Sequence, residues 1–311
     1  MKSNMKRFFL IICLLSGSSL SWAGSFSSSA NGTAAAGFLD LGVSARAQAL
    51  GNAYSALADD ASALYWNPAA LRLVGKRSIV LTHATYIESG FFDYAAYAQS
   101  FESAGSFAFG MQHASAGEIT RLDDSGAETG NFVPRDIAAS IGYSQEFKKW
   151  SFGVSGKYIE SKITQSAQAA AFDFGVLTPE LLNSRLRLAA TVSNLGSKLK
   201  YNDVSEDLPL AFRLGSACKF TEKWTASMDA QFSQHGRPIL AAGAEYSVPV
   251  FQLISVTGRA GFNSGALMEV GGLSGMTFGL GLGLQRMSLD YASVPFGSLG
   301  LTHRVSVSYK F

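Results

Sequence analysis

Most of the chain beyond Gly75 alternates between apolar and polar residues with a period of two. Between Trp224 and Ser233, the residues Trp, Ala, Met, Ala and Phe alternate with Thr, Ser, Asp, Gln and Ser. The same alternation recurs in 210–215, in 254–259 and in 301–311. Successive side chains of a strand point to opposite faces, so this pattern predicts β-strands with one apolar and one polar face. A helix cannot sustain the alternation.

The alternating segments predict about fourteen strands, an even number that allows an antiparallel single-chain barrel to close. They run to about 10–13 residues, longer than the usual 5–6 of soluble sheets and matched to a tilted span of a bilayer. The predicted strands are 78–87, 91–101, 105–114, 135–147, 150–163, 168–177, 185–195, 208–220, 223–234, 238–248, 253–262, 275–285, 286–294 and 300–311.

The alternative for such sheets is a soluble β-sandwich or a periplasmic barrel. Two features besides strand length favour lipid around the barrel. Aromatic residues cluster at strand ends, as in Phe147 with Trp150 and Phe220 with Trp224, which is typical of interfacial girdles. The polar face also carries charges that a dry core would not accept unpaired but a wet lumen would. They are Arg213, Lys219, Asp229, Glu245, Arg259, Asp290 and Arg304.

The connections between strands differ in length, which predicts their side of the membrane. Tight turns such as 148–149 and 221–222 are expected at the periplasmic side. The longer connections, around 115–134, 196–207 and 263–274, are expected to be the outer loops.

The segment before the strands has a different pattern. Residues 44–71 are rich in alanine and favour short helices. Asp59 and Asp60 are candidates to cap a short turn, and Asn67-Pro68 must end any helix. Helices of this length are marginal alone and must pack on something, and a barrel of about fourteen strands has room for them. We therefore expect a plug at 24–75 and a transmembrane barrel at 76–311.

The N-terminus has the order of a secretory signal peptide. Basic residues precede the apolar run 8–15, and small and polar residues lead to Ala23, which predicts a signal peptide at 1–23. The run is too short for a spanning helix, which needs about 20 apolar residues. A lipoprotein anchor at Cys13 is disfavoured because bulky Ile12 precedes it. Only Cys218 remains after cleavage, so no intramolecular disulfide forms.

Composition and motifs disfavour several classes of function. Charged residues make up 15% of the chain, and the formal net charge of +2 argues against nucleic acid as a partner. The histidines His83, His113, His235 and His303 are far apart and form no metal-ligand spacing. No Gly-x-Ser-x-Gly elbow or phosphate-binding loop is present. We expect neither an enzyme nor a bound metal or cofactor.

The last strand carries a candidate assembly signal. Val305, Val307, Tyr309 and Phe311 place apolar residues at alternate positions up to a terminal phenylalanine. This ending resembles the signal by which the bacterial barrel-assembly machinery recognises outer-membrane barrels.

Two motifs carry a resemblance to a known family. One is Gly51-Asn52-Ala53-Tyr54-Ser55, followed by Ala58-Asp59-Asp60-Ala61 and Asn67-Pro68-Ala69; the other spans 289–306, including Leu289-Asp290-Tyr291-Ala292. They resemble the hatch and the closing strands of the PorV/PorQ family of FadL-like outer-membrane barrels. One motif lies near the start of the mature chain and the other near its end.

The resemblance implies passive transport of a hydrophobic or amphiphilic small molecule, such as a long-chain fatty acid, across the bacterial outer membrane. It implies as the alternative a PorV-like component of type IX secretion that binds a secreted cargo protein; an open porin is disfavoured by the plug. Asp59, Asp60, Asn67, Pro68 and Ala69 are then the gating candidates of the hatch, although Pro68 has the simpler role of ending a helix. The candidate lumen-lining residues are Arg213, Glu245, Arg259, Asp290 and Arg304.

Overall fold

The computed structural model describes residues 35–86, 89–163, 165–201, 204–234, 236–265, 275–295 and 300–311. The predicted signal peptide, residues 24–34 of the predicted plug, His235 and residues 296–299 lie outside this part. Within it, fourteen antiparallel strands close a barrel. The predicted fold class, an all-β antiparallel barrel, is confirmed.

Each barrel strand pairs with its neighbours along the chain, and the first strand pairs with the last to close the cylinder. Each of the fourteen predicted segments corresponds to one barrel strand. The barrel strands are β1 Arg77–Thr85, β2 Phe91–Phe101, β3 Gly105–Ser115, β6 Arg135–Phe147, β7 Trp150–Lys162, β8 Ser166–Leu177, β9 Leu186–Gly196, β12 Ala211–Lys219, β13 Trp224–Ser233, β14 Ile239–Phe251, β15 Ile254–Asn263, β16 Met276–Leu284, β17 Met287–Pro295 and β18 Leu301–Lys310.

The structure adds details that alternation did not predict. Two short hairpins lie in predicted loops, β4 Ile119–Leu122 with β5 Glu128–Phe132 and β10 Leu199–Tyr201 with β11 Val204–Glu206. Their strands are too short to show a periodic pattern. Strand β14 continues past the predicted end at 248 to Phe251. Its ladder with β15 shifts register between Pro249 and Phe251, where proline has no N–H to donate.

The two ends of the barrel differ. At one end, called the turn end, short connections such as 148–149, 252–253 and 285–286 join the strands. The other end, called the loop end, carries the strand ends that flank the longer connections 116–134, 197–210 and 264–275, of which 202–203 and 266–274 lie outside the described residues. This is the predicted division, and in bacterial barrels the short turns face the periplasm.

The outward face of the barrel is an apolar belt. Phe109, Ile141 and Leu280 are 62%, 71% and 62% exposed, and similar side chains follow on neighbouring strands. Exposed Phe147 and Trp150 flank the belt at the turn end. Soluble proteins rarely expose so large an apolar surface, so the belt is typical of a barrel that spans a membrane. No helix in the described residues is long and apolar enough to cross one.

The inward face encloses residues 35–74, which we call the plug. Leu50, Tyr54, Leu64 and Leu71 of the plug are at most 2% exposed and pack in one apolar core with wall residues such as Ile159. The plug folds as short helical turns, namely the 3-10 helices Gly37–Asp40 and Pro68–Leu73 and the α-helices Ala45–Ala49 and Ala63–Trp66.

Candidate functional site

The contacts between the plug and the barrel wall are the candidate functional site, and an ion-pair chain is their largest polar feature. Arg46 of the plug binds Glu245 of β14 at 2.8 Å and Asp59 of the plug at 2.9 Å. Arg259 of β15 then binds both Glu245 and Asp290 of β17, at 3.1 and 2.7 Å. Lys310 lies at the other end of the chain. The six alternating charges are Lys310, Asp59, Arg46, Glu245, Arg259 and Asp290.

Other charged wall residues bind the plug backbone directly. Arg213 of β12 donates to the carbonyl of Asn52 at 3.2 Å, and Arg304 of β18 donates to the carbonyl of Gly42 at 2.6 Å. Asp229 of β13 accepts from the amide of Ser55 at 3.0 Å. These contacts satisfy backbone groups that irregular plug segments would otherwise leave unpaired in the lumen.

The two adjacent plug carboxylates have different roles. Burial alone would raise the pKa of Asp59, but the neighbouring Arg46 and Lys310 outweigh it and lower the pKa to about 2. Asp60 accepts hydrogen bonds from the amide and the hydroxyl of Ser62, and thereby caps the following turn. Burial and the adjacent Asp59 raise the pKa of Asp60. Asp59 therefore belongs to the ion-pair chain, and Asp60 shapes the plug.

Asn67, Pro68 and Ala69 lie against a different part of the wall. The α-helix ends at Trp66, and the Asn67 side chain then caps the 3-10 helix that begins at Pro68. The amide of Asn67 also donates to the carbonyls of Ser55 and of Val176 on β8. A Cβ at Gly153 of β7 would overlap the backbone of Pro68 and Ala69. The glycine therefore permits close packing of this turn on the wall.

The wall facing the plug is thus divided into two halves. In the described residues, every charged wall side chain that forms a hydrogen bond or an ion pair with the plug lies on β12–β18. Polar contacts from β1–β9 come from uncharged groups, such as Ser78 to the amide of Ala61 and Ser144 to the carbonyl of Ala69. That half also carries a buried ion pair, Lys157 of β7 with Asp173 of β8 at 2.9 Å, and Ser100 of β2 accepts from Arg72 of the plug. Many of its other buried side chains are small and apolar. They include Ala84, Ala96, Ala98, Ala108, Ala138, Ala169 and Ala171.

The structure has a polar cavity beside the plug and an apolar groove on the outer face of the wall. A polar cavity of about 440 Å³ opens at the turn end and is lined by Arg46, Asp60, Glu245 and Lys310 among others. An outward groove of about 410 Å³ crosses β18, β1, β2 and β3, and Leu81, Met111 and Val307 contribute to its apolar lining. The first is suited to charged groups and the second to an apolar chain.

The structure brings several predicted residues together and leaves others apart. Arg213, Glu245, Arg259, Asp290 and Arg304 all face the lumen, and three of them join the ion-pair chain. The gating candidates are split, with Asp59 near β14 and β18 and the Asn67 turn near β6–β8. Val305, Val307, Tyr309 and Phe311 point outward into the apolar belt.

Sequence reasoning missed Arg46, which connects the plug to the wall. Its signal was present, because Arg46 is the only charged residue in 44–58. A guanidinium in an alanine-rich segment that packs in a lumen requires a buried carboxylate partner. Within the described residues, no cluster of His, Cys, Asp and Glu could hold a metal ion.

A comparison with known protein families shows to which family the chain belongs. The family model described as "Type IX secretion system protein PorV" matches residues 27–232. This span covers the whole plug, residues 35–74, and more than half of the barrel. The chain belongs to the PorV family. No curated protein matches this PorV family member.

Solved structures show which barrels have the fold of this PorV family member. The toluene transporter TodX of Pseudomonas putida has 13% identity and a TM-score of 0.58, covering 87% of this chain and 98% of TodX. The toluene transporter TbuX of Ralstonia pickettii has 12% identity and a TM-score of 0.57, with 87% and 98% covered. A FadL homologue of Pseudomonas aeruginosa has 13% identity and a TM-score of 0.52, with 83% and 96% covered. At these identities the likeness shows a shared fold alone.

Proposed function

We propose that this protein is a bacterial outer-membrane channel for hydrophobic or amphiphilic small molecules, with long-chain fatty acids as the substrate class. The observation that carries the proposal is the unequal attachment of the plug to the two halves of the wall. Ion pairs and hydrogen bonds from charged wall residues attach it to β12–β18. Among the described residues, no charged side chain of β1–β9 bonds to the plug, and many of the side chains that face it there are small and apolar. The toluene transporters of the same fold support a hydrophobic small molecule as the substrate.

The unequal attachment favours a route for the substrate between the plug and β1–β9. Separating the plug from β12–β18 would leave buried charges without partners, which costs several kcal/mol per pair. Separating it from β1–β9 breaks hydrogen bonds such as that of Arg72 to Ser100 but no ion pair among the described residues. An apolar molecule that enters over the alanines there replaces one apolar surface with another. The outward groove over β1–β3 offers an apolar binding surface on the same half, although the strands beneath it, all in the described part of the chain, are paired and leave no opening in the wall.

The Asn67-Pro68-Ala69 turn is proposed as the gate of this route. It packs on β6–β8 through one side-chain amide and through glycines that admit its backbone. Asp59 and Asp60 are assigned a supporting role, because they fix the plug near the turn end.

Uptake of a labelled long-chain fatty acid tests the proposal. The protein is produced in a bacterial host that lacks its own fatty-acid channel, and outer-membrane fractionation with heat-modifiable gel migration verifies assembly. We expect uptake by the wild type and its loss in Asn67→Ala, with normal assembly. Asn131→Ala is the matched control, since Asn131 lies in the exposed β5 and binds only Glu118 through its side chain. Absence of uptake by the assembled wild type would reject the proposal.

A second candidate is a component of type IX secretion that binds cargo. The observation that favours it is the family match, whose description names that system. Deleting the gene in its native host distinguishes the two. Loss of secreted cargo proteins with unchanged fatty-acid uptake would establish the secretion function and exclude the channel.

A further inference from the structure

The turn end of the barrel carries an excess of basic residues. Its exposed acidic residues are Glu102, Glu146, Glu180 and Glu222, and two of these are paired, with Arg187 and Lys219. Asp59 and Asp60 of the plug also lie at this end, where Asp59 is paired with Arg46 and Lys310. Within the described residues, several cations at this end form no ion pair. They include the exposed Lys76, Arg77, Lys148, Lys149, Lys223 and Arg286.

The loop end has the opposite composition. The hairpin β4–β5 exposes Asp123, Asp124 and Glu128 within a few residues of one another, and its only cation is Arg121. The net charge of the whole chain is close to zero, so the excess at the turn end reflects the distribution of charges rather than the total. A surface with one sign of charge attracts partners of the other sign.

The basic end is concave rather than flat. The polar cavity of about 440 Å³ opens there, and Arg286 and Lys310 lie in its lining. Lipid headgroups surround the outer belt of a barrel and do not reach the mouth of its lumen. A polypeptide segment fits this mouth. Of the cations in its lining, Arg46, Arg259 and Lys310 are paired with carboxylates, and Arg286 forms no ion pair among the described residues. Carboxylates of the segment would bind Arg286 and the exposed turn cations around the mouth.

We propose that the turn end docks an acidic segment of a periplasmic partner protein. The segment enters the mouth and its carboxylates bind Arg286 and Lys310, while the surrounding turn cations attract it. Lys310 also lies 3.3 Å from Asp59 of the plug. An acidic side chain at Lys310 therefore competes with Asp59, so docking weakens one contact of the plug with the wall.

Binding of a fluorescein-labelled decaglutamate peptide tests the docking site. The full protein is placed in nanodiscs of neutral phosphatidylcholine, and fluorescence anisotropy is measured at 50 and 300 mM salt. We expect the wild type to bind at low salt and the double variant Lys149→Glu/Arg286→Glu to bind at least tenfold more weakly. Affinity should fall steeply at the higher salt concentration because the contact is ionic.

The matched control moves the same charge change to the loop end. Lys198→Glu/Lys200→Glu alters two exposed lysines there and should retain wild-type affinity. Equal weakening by both double variants would contradict a localised site. Failure of the wild type to bind the peptide, or binding only when anionic phosphatidylglycerol replaces the neutral lipid, would also overturn the proposal. Fatty-acid uptake does not enter this measurement, so the two proposals fail independently.

Discussion

Arg46 of the plug binds Glu245 of β14 through two hydrogen bonds, from Nη2 to Oε1 at 2.8 Å and from Nε to Oε2 at 3.1 Å. The pair joins two segments almost two hundred residues apart in sequence. Glu245 also accepts from Arg259, so one carboxylate holds two guanidinium groups in the lumen. Paired planar contacts of this kind fix orientation as well as distance.

Replacing Glu245 by glutamine should loosen the plug while the barrel remains closed. The change leaves two largely buried cations without their shared partner, and loss of one member of such a pair costs about 3–5 kcal/mol. Hydrogen exchange of residues 42–58 measures the effect and should accelerate strongly, whereas exchange in the strands should not. The control Glu180→Gln disrupts the exposed pair with Arg187. It should lower the stability of the protein by less than about 1 kcal/mol. Unchanged exchange in Glu245→Gln would show that the pair does not hold the plug.

Acid should release the plug over a defined pH range. The pKa of Asp59 is about 2 in the folded protein, below its ordinary value of 3.8. A lowered pKa contributes stability that is complete above the unfolded value and is lost as pH falls through the folded value. The protection of plug amides, corrected for the intrinsic exchange rate at each pH, should therefore fall between about pH 4 and pH 2. The variant Asp59→Asn should not show this loss of protection. If the variant shows the same loss, another group is responsible for it.

Replacing Phe311 by aspartate should impair assembly. Phe311 is 46% exposed in the apolar belt, and the centroid of its ring lies 4.7 Å from that of Tyr309. A lipid-facing charge costs at most about 2–4 kcal/mol and less near the interface, so loss of the proposed signal for the assembly machinery should dominate. The amount of heat-modifiable protein in the outer membrane measures the effect. Phe251→Asp, a matched change at another turn-end phenylalanine, should be milder; equal defects would remove the special role of the terminus.

The sequence predicted the barrel well and the plug contacts only in part. Alternation predicts strands because successive side chains in a closed barrel face either the outside or the lumen. Met228 is exposed on the outside, and the next residue, Asp229, is buried in the lumen. The partner of Arg46 could not be predicted in the same way, since Glu245 approaches it only after the barrel closes. Likewise, nothing local indicated that Asp59 and the Asn67 turn contact different halves of the wall. Such contacts depend on the register of the whole cylinder.

Ion conductance should report how completely the plug closes the lumen. With residues 35–74 inside the barrel, we expect low conductance in planar bilayers. Deletion of residues 24–74 should raise conductance clearly, provided that gel migration shows a closed barrel. High conductance of the intact protein would contradict a closed lumen.

Locking the plug to one half of the wall at a time tests the central claim most directly. In a Cys218→Ser background, one cysteine pair at Ala69 and Ser144 joins the plug to β6, and another at Ala45 and Ser306 joins it to β18; the parent positions are in hydrogen-bond contact. Each pair is closed by oxidation or a short bis-maleimide, and fatty-acid uptake is measured before and after. We predict that the lock to β6 abolishes uptake, that reduction of its disulfide restores it, and that the lock to β18 has little effect. Equal loss with both locks, or loss only with the lock to β18, would contradict a route along β1–β9.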